Sequence, residues 1–522
     1  MVDYNLLSVE ALASLVATPL STAFGARTLE RIRRQVESYD YYKGKQHMYD
    51  GQLIYPDELP RPPGLDYDPV RFYTNYFKTF IQKKARWQMG GQHKISVTPK
   101  QIDPQEIRMN PDYEPSEEQL AENVRAANTE ALLYTLWDEN NMREKLMQAA
   151  KDRMIAGRVP VKIVFNPRIG KIRWVFRPDY ECIPVYSEDD MEELEAVHFV
   201  QQMDDGDGGL VIRKQSYTAE YDANGNMECF VEEGLYDVEL KLVEAIQPKQ
   251  STGLDFIPVV FFPITDLLAD EVTNDEIADM RQLTDVINQL NEDSIDALKF
   301  EMFPMTAFLN VPEGTTDNIN VSAGATIEVS SGGMNNEAAP KIMKIESTFT
   351  WSTAFEQTYD RLKGALHEVT SVPNIIPQEM NFGGLNAEVI QLLFHSIITE
   401  TQEHWLVWGA RLSELHEKTM RYLQARTGAR VFAYDREVVR NIGDNYANEM
   451  KFALPLPDNR KDLVELLTIE TGSGFESVAG AMARLGVQDV GYKQSEIERE
   501  TQQRRRSSGP YTGLEGIGDT IE

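Results

Sequence analysis

Between Asn386 and Thr427 the chain runs without a proline, and its pattern predicts one continuous helix. At 1.5 Å per residue that helix is roughly 60 Å long and sets the scale of the fold. Gly409 is its expected point of bending. The segment just before it, SVPNIIPQEMNFGGLN, carries two prolines and two glycines. It fits neither a regular helix nor a central strand.

Two helical stretches and a small insert lie upstream. Thr273 and Glu276 have capping-box spacing, and Ile277, Met280, Leu283, Ile287 and Leu290 mark one helical face. From Asp270 to Glu301 there are ten acidic residues and two basic ones, a local balance of -8. An insert from about Met302 to Ile345 has short strand-like runs (TAFLNV, ATIEVS, PKIMKI) between Gly, Asn and Pro. A second helix follows, with Trp351, Phe355, Tyr359, Leu362, Leu366 and Val369 spaced four or three apart.

Residues 1 to about 155 read as helices with loops. The N-terminus has no basic leader and reads as an amphipathic helix rather than a signal peptide. A charged helix near Glu30–Tyr42 ends in YYKGKQ, where Gly44 suits a stop. A proline-rich loop, the helix NYFKTFIQKKARWQMGG, and one long helix from about Ser116 to Ala156 follow. From about Val159 to Phe262 the pattern is β-rich. Hairpins are expected about Pro167–Gly170 and Asn224-Gly225, and IPVVFFPI closes the region. RVFAYD and EMKFALPLP look strand-like, helices fill the C-terminal stretch, and the last residues are Gly-rich. The predicted class is α+β, predominantly helical.

Charge and motifs narrow the function. The net charge of -31, from 83 acidic and 52 basic residues, argues against a protein that reads DNA sequence through phosphate neutralisation. It allows one that handles DNA without holding it, although from charge alone plain solubility is the favoured reading. No apolar run is long enough to span a bilayer. Cys182 and Cys229 have no further thiols at metal-ligand spacing, so zinc is not expected, and a reducing compartment is the natural setting. No phosphate-binding glycine loop, nucleophile elbow or HExxH is present. Leu366-His367-Glu368 starts like the last, but no second histidine follows. Asp222, Asn224 and Asn226 suggest a calcium loop only faintly, because Met227 stands where glycine is required. The expectation is no enzyme activity, no cofactor and no metal.

The order helix, β insert, helix, Pro/Gly loop, very long helix resembles the portal (head-to-tail connector) proteins of tailed bacteriophages. YYKGKQ resembles that family's early YYxG segment, and NYFKTFIQKKARWQMGG its following Asn-Tyr helix. IPVVFFPI leading into an Asp/Glu-rich helix resembles its wing-to-stem transition. NFGGLNAEVIQLLFHSIITETQEHWLVWGARL resembles its loop entering the longest helix, although Leu385-Asn386 stands where many relatives carry Ser-Gly. PLPDNRKDLVELL resembles the entry to the C-terminal crown.

The resemblance implies a ring of roughly twelve copies around a central channel at one capsid vertex. The implied parts are a wing (1–269), stem helices (270–300 and 348–372), a clip (301–347), a tunnel loop (373–386), the long wing helix with return strands (387–457) and a crown with tail (458–522). Asp275, Asp279, Asp285, Glu292 and Asp296 are the channel-lining candidates, against the alternative that they point outward or pair with neighbours. Ile375, Ile376, Met380, Phe382, Gly383 and Gly384 are the tunnel-loop candidates, and Lys363, Arg504, Arg505 and Arg506 possible DNA contacts. Implied partners are other copies of the chain, the terminase large subunit, major capsid and scaffolding proteins, head-completion adaptors, and double-stranded DNA without sequence specificity. No membrane is implied. The location would be the virion, and host cytoplasm during assembly. A tail or baseplate protein, or an acidic enzyme of unfamiliar type, are the competing readings.

Overall fold

The computed structural model describes residues 22–64, 67–99, 116–187, 193–204, 210–223, 225–237, 241–264, 275–302, 305–309, 341–345, 351–374, 391–455, 460–474 and 478–485, with scattered positions to 501. The chain divides into two compact units, one ending at Pro455 and one beginning at Leu456.

In the first unit, α1 (Thr22–Lys43) stops inside YYKGKQ as expected. Gly44 has φ +117°, and a Cβ there would lie 2.1 Å from Tyr73 Oη, so only glycine fits. Strands β1 (His47–Tyr49) and β2 (Gln52–Ile54) pair antiparallel. Helix α2 (Tyr76–Met89) starts at Asn75, whose side chain accepts from the Lys78 amide. Strand β3 (Lys94–Val97) follows. Helix α3 (Glu117–Glu139) opens with the Ser116/Gln119 capping box.

The expected single helix 116–156 is broken at Asn140–Asn141, and α4 (Met142–Ala156) begins anew. Asn141 is left-handed, at φ 51°. The buried Asn140 Oδ1 accepts from the Trp174 amide at 2.9 Å. Its side chain serves a neighbouring strand, which fixes where the helix ends.

The β-rich region forms two antiparallel sheets. Strands β4 (Arg158–Asn166) and β5 (Lys171–Phe176) are the first expected hairpin. Strands β6 (Cys182–Tyr186), β7 (Leu194–Asp204), β8 (Leu210–Tyr221), β9 (Met227–Tyr236) and β10 (Leu242–Ser251) form a meander in the order β10-β9-β8-β7-β6. The second expected hairpin is β8–β9, tied by an Asn226 amide donating to Asp222 Oδ1 at 2.8 Å. Strand β11 (Val259–Pro263) returns to β4, giving β11-β4-β5.

Helix α5 (Asp275–Met302) leads to β12 (Met305–Leu309), which pairs with β13 (Lys341–Ile345). Helix α6 (Ser352–Val369) packs beside α5. The long helix α7 (His395–Ala425) is continuous through Gly409, where Phe452 lies 3.6 Å from the position of a Cβ. The interruption falls at Phe394 instead, after a helical turn at 391–393. The strand expected at RVFAYD is absent. That stretch crosses the β4–β5 turn with one backbone bond, Ala433 N–H to Gly170 O, and leads to α8 (Arg436–Asn441). Strand β14 (Asn448–Lys451) pairs with β3. The second unit contains α9 (Arg460–Gly472) and α10 (Val478–Arg484).

Helix α7 holds the first unit together through buried aromatics and paired polar groups. Trp408 is fully buried, its ring 5.0 Å from Phe262, with the Arg153 guanidinium 5.1 Å away. Trp137 Nε1 donates to His416 Nε2 at 2.7 Å, so His416 Nδ1 carries the proton and donates to Asn448 Oδ1 at 2.9 Å. Trp174 Nε1 donates to Thr419 Oγ1 at 2.9 Å. On the far side of the core, the fully buried Asp179 accepts from Arg31 at 2.7 Å, Arg158 at 2.7 Å and Gln35 at 2.8 Å.

Two stability predictions follow from these buried groups. Asp179→Asn leaves two guanidinium groups without their counter-charge, and urea unfolding should show a loss of about 3–5 kcal/mol. Burial pushes His416 down to about 4 and His198 down to about 3. The unfolded chain protonates both near about 6.5, so it binds more protons below that pH and stability falls as pH drops toward 4. The slope should be on the order of 1 kcal/mol per pH unit for each histidine, and smaller in His416→Gln.

Candidate functional site: the acidic helical hairpin

Helix α5 presents three faces. Ile277, Met280, Thr284 and Ile287 are buried. Asp279, Gln282, Val286, Gln289 and Asp293 are exposed, at spacings of three and four that put them in one stripe. A third face, at 281, 285, 288, 292 and 296, is polar and engaged.

That engaged face grips the N-terminal part of the unit. The Arg281 guanidinium pairs with Glu37 at 2.7 Å and lies 4.9 Å from the Tyr41 ring centre. Tyr41 Oη donates to Asp285 Oδ1 at 2.6 Å. Asn288 Oδ1 accepts from the Thr74 amide at 2.9 Å, Glu292 Oε1 from the Phe72 amide at 2.8 Å, and Asp296 from the Val70 amide at 3.1 Å. Glu292 also meets His47 Nε2 at 3.0 Å, with Arg71 at 3.6 Å.

The geometry explains this ladder. Four helical residues advance about 6 Å, and two extended residues about 6.6 Å. Side chains at 288, 292 and 296 therefore meet alternate amides of an extended segment running the opposite way. Without them the Val70, Phe72 and Thr74 amides would have no strand partner. Burial raises the Asp285 carboxyl above its ordinary value, against the lowering pull of the Tyr41 hydrogen bond and Arg281.

The acids expected on the channel wall thus divide. Glu292 is buried and Asp296 half-buried, both bound to this chain's own N-terminal part, while Asp285 accepts from Tyr41 and is still exposed. Asp279 is exposed, and the side chain of Asp275 lies outside the described residues. Asp293, which sequence reasoning passed over, belongs to the exposed stripe. Its signal was the three-and-four spacing from Asp279 through Val286.

Helix α6 is fixed by Tyr359 Oη, 2.8 Å from Tyr76 Oη, and by His367, whose Nδ1 donates to Val372 O at 2.9 Å while its ring stands edge-on to Phe80. His367 is therefore a packed polar residue. Burial, with Lys83 and Lys363 nearby, lowers its pKa. Lys363 is half-buried, while Glu356, Asp360 and Glu368 are exposed. Ile375, Ile376, Met380, Phe382, Gly383, Gly384, Arg504, Arg505 and Arg506 lie outside the described residues, as does most of the 302–345 insert. Among the described residues no group of acids, histidines or cysteines could hold a metal ion, and no helix is long and apolar enough to cross a membrane.

The model of the family "Phage portal protein, SPP1 Gp6-like" matches residues 25–507. The chain belongs to that portal protein family, and its function is that of a portal protein. No curated protein matches it. A solved structure similar to it is the neck of an empty GTA particle computed with C6 symmetry, at 11% identity over 78% of this chain and 89% of that chain, with a TM-score of 0.38.

The two sides of residue 292–293 give a direct test of the face assignment. Glu292→Ala should cost about 1–3 kcal/mol in urea unfolding and speed amide exchange at Phe72. Asp293→Ala, one residue along on the exposed stripe, should stay within about 0.5 kcal/mol.

Proposed function

We propose that the chain forms a ring of roughly twelve copies around a DNA channel, with the α5–α6 hairpin as its wall and the stripe Asp279, Gln282, Val286, Gln289, Asp293 turned to the lumen. The observation that carries this reading is the exposed acidic stripe on a helix whose other sides bind the core and this chain's own N-terminal part. Ring copies would set Asp279 and Asp293 at two levels of the channel. Duplex DNA carries one charge per about 1.7 Å of axis, so such rings repel it. Screening confines that repulsion to about 8 Å, which lets DNA slide without adhering.

Residues 1–269 would form the wing, 270–300 and 348–372 the stem, 301–347 the clip, 373–386 the tunnel loop, 387–457 the long helix with its return strands and 458–522 the crown and tail. The clip would receive the terminase large subunit during packaging and head-completion adaptors afterwards. Capsid and scaffolding proteins would hold the wing at the virion vertex. The tunnel loop, through Phe382, Gly383 and Gly384, would narrow the channel. Lys363 and Arg504–Arg506 remain the candidates for touching phosphate. No catalytic turnover belongs to this role.

Asp279→Lys combined with Asp293→Lys tests the wall assignment. The variant should melt close to the parent chain, because both positions are exposed, and still assemble. DNA packaged per procapsid should fall by about tenfold or more, since each new cation attracts phosphate where the parent repels it. Undiminished packaging in assembled rings would remove this stripe from the channel wall.

A further inference from the structure

At one end of the stacked sheets the apolar filling gives way to cations. On the inner face of β7 and β8, Phe199 stands opposite Gln215, and Gln201 opposite Arg213. Lys162 from β4 and Arg177 just beyond β5 complete a small cleft of about 70 Å³. Arg213 is 43% exposed at its side chain, so the cleft reaches water.

Two of its three cations are matched. Arg177 pairs with Glu181 at 2.5 Å, and Arg213 with Glu233 at 2.6 Å. Lys162 has no carboxylate within ion-pair distance among the described residues. Its Nζ donates to Gln215 Oε1 at 2.6 Å and lies 5.1 Å from the Phe199 ring centre. An ammonium has three donors, so hydrogen-bonding capacity remains. Burial, with Arg177 and Arg213 nearby, brings Lys162 down to about 8, against the opposing pull of Glu233.

We propose that this cleft receives a carboxylate side chain from a neighbouring copy of the chain, bound through Lys162 with Arg177 and Arg213 around it. The inference rests on the ring reading. Copies of a chain carrying -31 repel one another overall, so their contacts gain from local charge complementarity. A recessed cleft with one uncompensated cation is where an incoming carboxylate is stabilised. A DNA backbone does not suit it: a duplex needs a row of cations at the surface, not a single recess over a phenylalanine.

Lys162→Met keeps the aliphatic stem over Phe199 and removes the charge. In native mass spectrometry of the full chain across a concentration series, half-assembly into rings should move up about tenfold, with the melting temperature of the unassembled chain little changed. Sodium acetate should weaken assembly of the parent chain relative to sodium chloride at equal ionic strength, and should not do so in Lys162→Met. Rings in both chains at the same concentration, with no acetate effect, would overturn the cleft while leaving the ring intact. A parent chain that stays monomeric throughout would overturn both. Loss of duplex DNA binding with unchanged assembly would overturn the proposal in favour of phosphate.

Discussion

The side-chain ladder between α5 and the extended segment at Val70–Thr74 is the contact on which the placement of the hairpin depends. Backbone amides in an extended segment need acceptors, and here no strand supplies them. Asn288, Glu292 and Asp296 do so instead. Three buried or half-buried acceptors thereby fix the rotation of α5 about its own axis. With the apolar face against the core and the polar face against this segment, the exposed side of the helix is centred on one stripe. The direction of the Asp279–Asp293 stripe is thus set by what the rest of the helix is doing.

The body of the first unit holds by a different logic. Helix α7 brings Trp405, Trp408, His416 and Thr419 to successive elements, and each buried polar atom among them finds a defined partner: Gln88, Trp137, Asn448 or Trp174. Pairing of this kind specifies position where apolar packing alone would tolerate shifts. The Arg158–Asp179–Arg31 cluster does the same where α1 meets the start of the sheets.

Much of this was legible beforehand, for identifiable reasons. The hairpins at Gly170 and Asn224-Gly225, the stop at Gly44 and the start at Ser116 are local, and local chemistry encodes them. The break at Asn140 depends on a strand more than thirty residues away, although the Asn-Asn pair was a usable hint. RVFAYD has strand composition but only one backbone bond to its neighbour. The acidic face was the least legible feature. Carboxylates spaced four apart on a helix look identical whether they face a water-filled channel or the amides of an extended segment. Only the partner, remote in sequence, distinguishes Glu292 from Asp293.

The ladder also has an unused tooth. Side chains able to accept stand on α5 at 284, 288, 292 and 296, one more than the three amides that use them, and Thr284, one turn earlier, is buried with the apolar face. A slide of α5 by four residues, about 6 Å, would bring Glu292, Asn288 and Thr284 level with Val70, Phe72 and Thr74. The helix is therefore a toothed rack, and the rack alone does not choose its position. Tyr41 on Asp285, Glu37 on Arg281 and His47 on Glu292 are the pawl: they have no equivalents one tooth away, and with the buried apolar face they hold the setting against a load applied along the helix.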